Sequence, residues 1–133
     1  KKAVLVLTTG MNIFLFISYV WPTGLDFRES IVYDLHTLSG NLLKFVQTVD
    51  TPKSVFPSMH VYVTLVLQYT LEMQKKLVTA WGIWVGRVLA VLIVLSTMFT
   101  KQHSAVDVTA AIVMFAVLAL AVEKLVKEPK EGN

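Results

Sequence analysis

The chain has no cysteine among its 133 residues. That absence excludes a disulfide framework and a thiolate-held metal centre. Charge is also scarce. Only 16% of the residues are Asp, Glu, Lys or Arg, against 55% hydrophobic, and the mean hydropathy is +0.64, a balance far from that of soluble domains. The net charge is only +3, and the basic residues are scattered without interleaved aromatics, which gives nucleic-acid binding little support. The three histidines form no HxxxH or HExxH pair, so no metal and no cofactor is expected. No stretch alternates apolar and polar residues with period two, which disfavours an outer-membrane barrel. Internal repeats and low-complexity tracts are lacking too.

What the sequence does have is long apolar runs. Crossing the hydrocarbon layer takes about 20 mostly apolar residues as a helix, because a helix satisfies its own backbone polar groups there. Ala3 to Trp21 (AVLVLTTGMNIFLFISYVW) carries no charge, Ala80 to Thr100 carries only Arg87, and Ala105 to Val122 carries only Asp107. His60 to Leu71 (HVYVTLVLQYTL) is shorter, and reaches membrane length if it extends from Ser58 into LEMQKK. The expectation is one all-α domain over residues 1–133, a multi-spanning transmembrane bundle of about four membrane helices. The first run lacks a small-residue cleavage site and reads as a retained helix rather than a signal peptide.

Between the first two runs lies a long connection from Pro22 to Ser58. Its amphipathic middle, VYDLHTLSGNLLKFVQ, predicts one or two short helices lying at the membrane interface. Short turns are expected at Gln74 to Leu77 and at Thr100 to His103. Lys1 and Lys2, Lys75 and Lys76, and Lys124, Lys127 and Lys130 all fall on one side of such a bundle, which the positive-inside rule makes the cytoplasm. Trp81 and Trp84 suit an interfacial belt on that side, and Arg87 reads as a residue snorkelling to the headgroups. His36 reads as a surface residue.

Two stretches then share the outer face: FPSMH, Phe56 to His60, and TKQHSAVDV, Thr100 to Val108. Ser58 opens an apolar run, where it serves as a helix cap and where unpaired backbone N–H groups favour an anion. His103 and Asp107 are four residues apart and so share one helical face. The carboxylate can take one imidazole N–H and leave the other ring nitrogen free to attack, the arrangement of an oriented nucleophile or base. An ionisable group entering a membrane helix is costly, which makes Asp107 a functional candidate. Lys101, Lys53 and Arg28 are cations that can gather at the same face around a phosphoryl group.

These residues resemble the type 2 phosphatidic acid phosphatase superfamily of integral membrane lipid phosphatases, whose three motifs are KxxxxxxRP, PSGH and SRxxxxxHxxxD. Pro57 to His60, PSMH, is similar to the second motif with Met59 in place of Gly. Ser96, His103 and Asp107 match the third at its spacing, with Thr97 where the motif has Arg. Of the first motif only Arg28 remains, with Trp21 at the Lys position and Glu29 at the Pro position. The two stretches look like a branch that also contains bacterial phosphatases and inositol phosphorylceramide synthases. The resemblance covers the C-terminal four-helix part of a six-helix family fold, so the first two helices of that fold are expected to be lacking.

The resemblance implies metal-independent hydrolysis of a lipid phosphate or polyprenyl diphosphate at the outer membrane face, through a phosphohistidine on His103. Asp107 would hold the His103 ring, and His60 would protonate the leaving alkoxide and later activate water. Arg28, Ser58, Lys101 and Lys53 would bind the phosphoryl oxygens, with Lys101 standing in for the absent third-motif Arg. A transferase that passes the phosphoryl group or a phospho-headgroup to a lipid or polyol acceptor is the nearest alternative. A catalytically silent membrane scaffold is another, favoured by Thr97, Trp21 and Glu29.

Overall fold

In hydrocarbon every backbone N–H and C=O must find its partner within the protein, and the helix does this within one segment. The computed structural model describes residues 1–22, 36–49, 56–99 and 104–126, and among these there are five helices and no strand. They are α1 (Lys2–Val20), α2 (Leu38–Val49), α3 (Met59–Met73), α4 (Ala80–Phe99) and α5 (Ala105–Leu125). Three of them, α1, α4 and α5, are long and apolar enough to cross a membrane.

The fourth expected span is shorter than the sequence suggests. Helix α3 has 15 residues, about 22 Å at 1.5 Å per residue, against a hydrocarbon core of about 30 Å. It extends past Leu71 only as far as Met73, where the Gln74 N–H closes the last turn on the carbonyls of Thr70 and Leu71. The chain then turns through Lys75 and Lys76, whose ammonium groups favour water over continuation into lipid. Helix α5 runs on beyond Val122 to Leu125, because Glu123 finds a partner there: the Tyr69 hydroxyl donates to its carboxylate at 3.1 Å.

Helix α3 is the hub. It packs against α1, α4 and α5, and α1 also packs against α5. Helices α3 and α5 run parallel, since Ser58 meets Asp107 at one end and Tyr69 meets Glu123 at the other. Helix α1 runs antiparallel to α3: Ala3 shares a small cavity with Thr70, and Leu7 shares it with Val63 and Val66. Lys1, Lys2, Lys75, Lys76 and Lys124 therefore share one end of the bundle, and the starts of α3 and α5 share the other. Lys127 and Lys130 lie outside the described residues.

The core is small and lies where α1, α3 and α5 meet. Val6, Val61, Tyr62, Val66, Val108 and Ala111 are its buried members. Gly10 has no side chain to keep the Tyr62 ring away, so the ring lies against the α1 backbone, and its hydroxyl donates to the Val6 carbonyl one turn earlier. Phe115 stands edge-on to both Tyr62 and Tyr69, with ring centroids 6.4 and 5.9 Å apart. Outside this core the helices are bare: at most 22% of the residues in any of the three spans are buried within the bundle. Leu15, Phe16, Leu89, Leu92, Val113 and Leu120 all face outward. In water such a surface far exceeds the apolar patch a monomer tolerates, whereas lipid tails cover it at no cost.

Among the described residues of the long connection there is one helix, α2, which begins after Thr37 caps it by accepting the Gly40 N–H at 3.1 Å. Residues 32–35 of the expected amphipathic stretch lie outside the described residues. Leu38, Leu42, Phe45 and Val46 form an exposed apolar stripe along α2, with Asn41, Lys44 and Thr48 around the rest of the helix.

Candidate functional site

Two helix starts come together at the end of the bundle away from the clustered lysines. The first is built by Ser58, which is completely buried. Pro57 before it cannot continue a helix backward, and Ser58 takes the extended conformation of an N-cap, its Oγ accepting the Val61 N–H at 3.4 Å. The second is built by Ser104 and Asp107. The Ser104 hydroxyl accepts the Asp107 N–H at 3.3 Å, while the Ser104 N–H and hydroxyl each donate to Asp107 Oδ2 at 2.8 Å. This is a reciprocal capping box.

A single backbone bond joins the two starts: the Ser58 N–H donates to the Asp107 carbonyl at 3.1 Å. PSMH and SAVD, far apart in sequence, are thus tied together at one end of the fold. The buried Asp107, 7% exposed, is compensated in two ways. Its carboxylate receives two hydrogen bonds, and it sits in the first turn of α5, where the helix dipole favours a negative charge.

Of the residues expected at a site, the structure brings Ser58 and Asp107 together and places His60 beside them, exposed on the first turn of α3. His103, Lys101, Arg28 and Lys53 lie outside the described residues. Thr97, at the position of the family's Arg, is 3% exposed and its hydroxyl donates back to the Val94 carbonyl at 2.8 Å, so it offers no group to a ligand. Among the described residues no three His, Asp or Glu side chains group as a ligand set. Ser104 is the residue that reasoning from the sequence missed. Its signal was present, since Ser-x-x-Asp directly ahead of an apolar run is the capping-box pattern.

An open apolar groove of about 680 Å³ adjoins both helix starts. Phe56 and Pro57 line it next to Ser58, Ala105 and Val106 line it next to Asp107, and Ile13 and Ile17 of α1 form its far wall. Its size falls in the range of small-molecule sites, roughly 300–1,000 Å³.

The opposite end carries a separate polar cluster. Arg87 Nε donates to Glu72 Oε1 at 2.9 Å, Gln68 Nε2 donates to the same oxygen at 3.1 Å, and the guanidinium lies 5.6 Å from the Trp84 ring centroid. Arg87 is therefore held in an ion pair between α3 and α4 as well as reaching toward the interface. Comparison with protein-family models, curated proteins and solved structures finds no match to this chain, so the family resemblance stands on the motif residues themselves.

Proposed function

We propose that this protein is a membrane-embedded, metal-independent phosphatase acting on a lipid phosphate or diphosphate. The observation that carries the reading is the bond from the Ser58 N–H to the Asp107 carbonyl. It joins at one end of the bundle the two stretches that the resemblance makes parts of a single site. The groove beside them supports a lipid substrate, because its apolar walls suit a hydrocarbon chain while the paired helix starts suit a phosphate.

In this reading a ring nitrogen of His103 attacks phosphorus, and the bond from phosphorus to the leaving oxygen breaks. His60 gives that oxygen its proton. Water, deprotonated by His60, then cleaves the phosphorus–nitrogen bond, releasing inorganic phosphate and restoring both imidazoles. Asp107 holds the His103 ring, while Arg28, Ser58, Lys101 and Lys53 receive the phosphoryl oxygens, where charge develops. Acid–base help of the kind assigned to His60 is worth about 10²- to 10⁴-fold.

The lysine-bearing end lies in the cytoplasm and the site on the extracytoplasmic side, following the positive-inside rule. Helix α3 is the fourth membrane helix, and α2 lies in the headgroup layer of the leaflet that the site faces.

The test is to reconstitute the full chain in phosphatidylcholine vesicles with phosphatidate carrying a radiolabelled phosphate. Label appearing on the protein, lost in His103→Ala, together with release of inorganic phosphate, is the expected result. Label passing to an added alcohol without phosphate release converts the reading to a transferase. A second reading, a silent scaffold, is favoured by the self-bonded Thr97 hydroxyl, and it gives no label at all.

A further inference from the structure

Four separate stretches of the chain bring cations to one end of the bundle, and three pairings fix them at one depth. Ala3 shares a cavity with Thr70, which sets Lys1 and Lys2 beside the last turn of α3. The Tyr69 hydroxyl donates to Glu123 at 3.1 Å, which sets the neighbouring Lys124 there. Arg87 Nε donates to Glu72 at 2.9 Å, and Lys75 and Lys76 follow directly in the turn where α3 stops. Tyr69, Thr70 and Glu72 lie within four successive residues, about one helical turn or 5.4 Å. The cations therefore form a collar at one level rather than a scatter along the spans.

Among the described residues of this end, six cationic side chains meet two carboxylates. Both carboxylates are already engaged: Glu72 receives Arg87 and Gln68, and Glu123 receives the Tyr69 hydroxyl. The surplus charge belongs to the lysines, of which Lys75, Lys76 and Lys124 are exposed. Beside them, in the first turns of α4, Trp81 and Trp84 are exposed as well. An indole pairs an apolar ring with one N–H donor and so suits the headgroup layer. The two tryptophans thus hold the collar at the depth of lipid phosphates.

We propose that this lysine collar is a binding surface for phospholipids whose headgroups carry net negative charge, in the leaflet that this end of the bundle meets. Charge complementarity selects them. A zwitterionic headgroup carries its own cation beside its phosphate, and that cation is repelled by the lysines, whereas an anionic headgroup has no such opposition. Each Lys or Arg near an anionic surface is worth about a fivefold preference, and a collar at one level lets several of them act on the same ring of lipids. The surface lies at the end remote from Ser58 and Asp107, and its occupancy does not depend on the phosphatase reading.

The experiment uses the full chain in vesicles of phosphatidylcholine and phosphatidylglycerol, alike in both leaflets so that either orientation reports. The chain has three tryptophans, and Trp21, at the end of α1, stands at the opposite end from Trp81 and Trp84. In a Trp21→Phe protein the emission comes from the collar end alone, and in a Trp81→Phe, Trp84→Phe protein it comes from Trp21. Quenching by brominated phosphatidylglycerol is compared with quenching by brominated phosphatidylcholine at equal mole fraction. At low salt the expected quenching of Trp81 and Trp84 is about fivefold more effective with the glycerol lipid. The ratio falls toward parity at high salt, which screens exposed charges. It falls likewise when Lys75→Gln, Lys76→Gln and Lys124→Gln are combined, while the three corresponding Lys→Arg substitutions keep it. Quenching of Trp21 is expected to be unaffected by either set.

Equal quenching of Trp81 and Trp84 by the two lipids overturns the proposal. A preference that survives both high salt and the glutamine substitutions does so too, since it would not come from the lysines. So does a loss at Trp21 as large as that at Trp81 and Trp84, which would mark a change in the whole protein rather than at the collar. The salt comparison is made with the lysines unaltered, so it decides the matter even where the glutamine-substituted protein fails to fold.

Discussion

Replacing Gly10 by alanine is expected to destabilise the bundle, although alanine is the better helix former. The new Cβ would fall within the volume of the Tyr62 ring. That ring is 1% exposed, its hydroxyl is bonded to the Val6 carbonyl and Phe115 stands against its edge, so it has no open space into which to swing. Relief must come from α1 moving away from α3. Overpacking of this kind costs about 1–3 kcal/mol. Losing the Tyr62 hydroxyl bond adds about 0.6 kcal/mol, the average for such bonds between membrane helices. The helix-propensity gain from Gly to Ala offsets about 1 kcal/mol. The net expectation is a loss of about 0.5–2.5 kcal/mol, measured by reversible unfolding in mixed detergent micelles. The decisive comparison repeats the substitution in a Tyr62→Ala background. There the Cβ meets vacated space, only the propensity term remains, and Gly10→Ala becomes neutral or stabilising. Equal destabilisation in both backgrounds would refute the wedge between α1 and α3. Because α1 also walls the groove through Ile13 and Ile17, the single variant should further weaken handling of lipid substrate.

Three further outcomes follow from the same geometry. Ser58→Ala removes the side-chain acceptor for the Val61 N–H while leaving the backbone bond to Asp107 in place, and should cost about 0.5–2 kcal/mol in unfolding experiments; no measurable change would show that the cap bond contributes nothing. Arg87→Ala breaks a half-exposed pair with Glu72 at the end remote from the site, so stability should fall by no more than about 1 kcal/mol and phosphate release should stay at the unaltered rate. A large loss of activity there would place the chemistry at the wrong end. Since the chain has no cysteine, single labels introduced at Leu42 or Phe45 and at Asn41 or Thr48 report the depth of α2 without background. In vesicles the first pair should be shielded from a water-soluble quencher and the second exposed to it, and equal quenching at all four would show that α2 does not lie on the bilayer.

Much of this arrangement was legible from residue order. The runs ending at Trp21, Thr100 and Val122 mark α1, α4 and α5 to within a few residues, because length and scarcity of charge are what spanning requires. The helix start at Ser58 was equally plain from Pro57 and the apolar run behind it. Less plain was the true length of α3, since His60 to Leu71 meets the composition of a membrane segment while the helix closes at Met73 on the Gln74 cap, ahead of Lys75 and Lys76. Asp107 stood out as a charge in an apolar helix. Its partner Ser104 stands three residues ahead of it at the spacing of a capping box, a local signal that overlaps the four-residue spacing of His103 and Asp107.

What residue order by itself determined is the class and the ends: three helices long and apolar enough to cross a bilayer, and helix starts capped where Ser58 and Ser104 stand. These depend on local backbone chemistry and on the solvent each segment demands. Only the tertiary structure decided which faces meet. Helices α1, α4 and α5 are apolar nearly all the way round, so no periodicity marks the side that is buried. The Gly10–Tyr62 contact, the pairing of Arg87 with Glu72 and the bond from Ser58 to Asp107 all depend on the rotation and register of helices distant in sequence, which close packing around a small core selects.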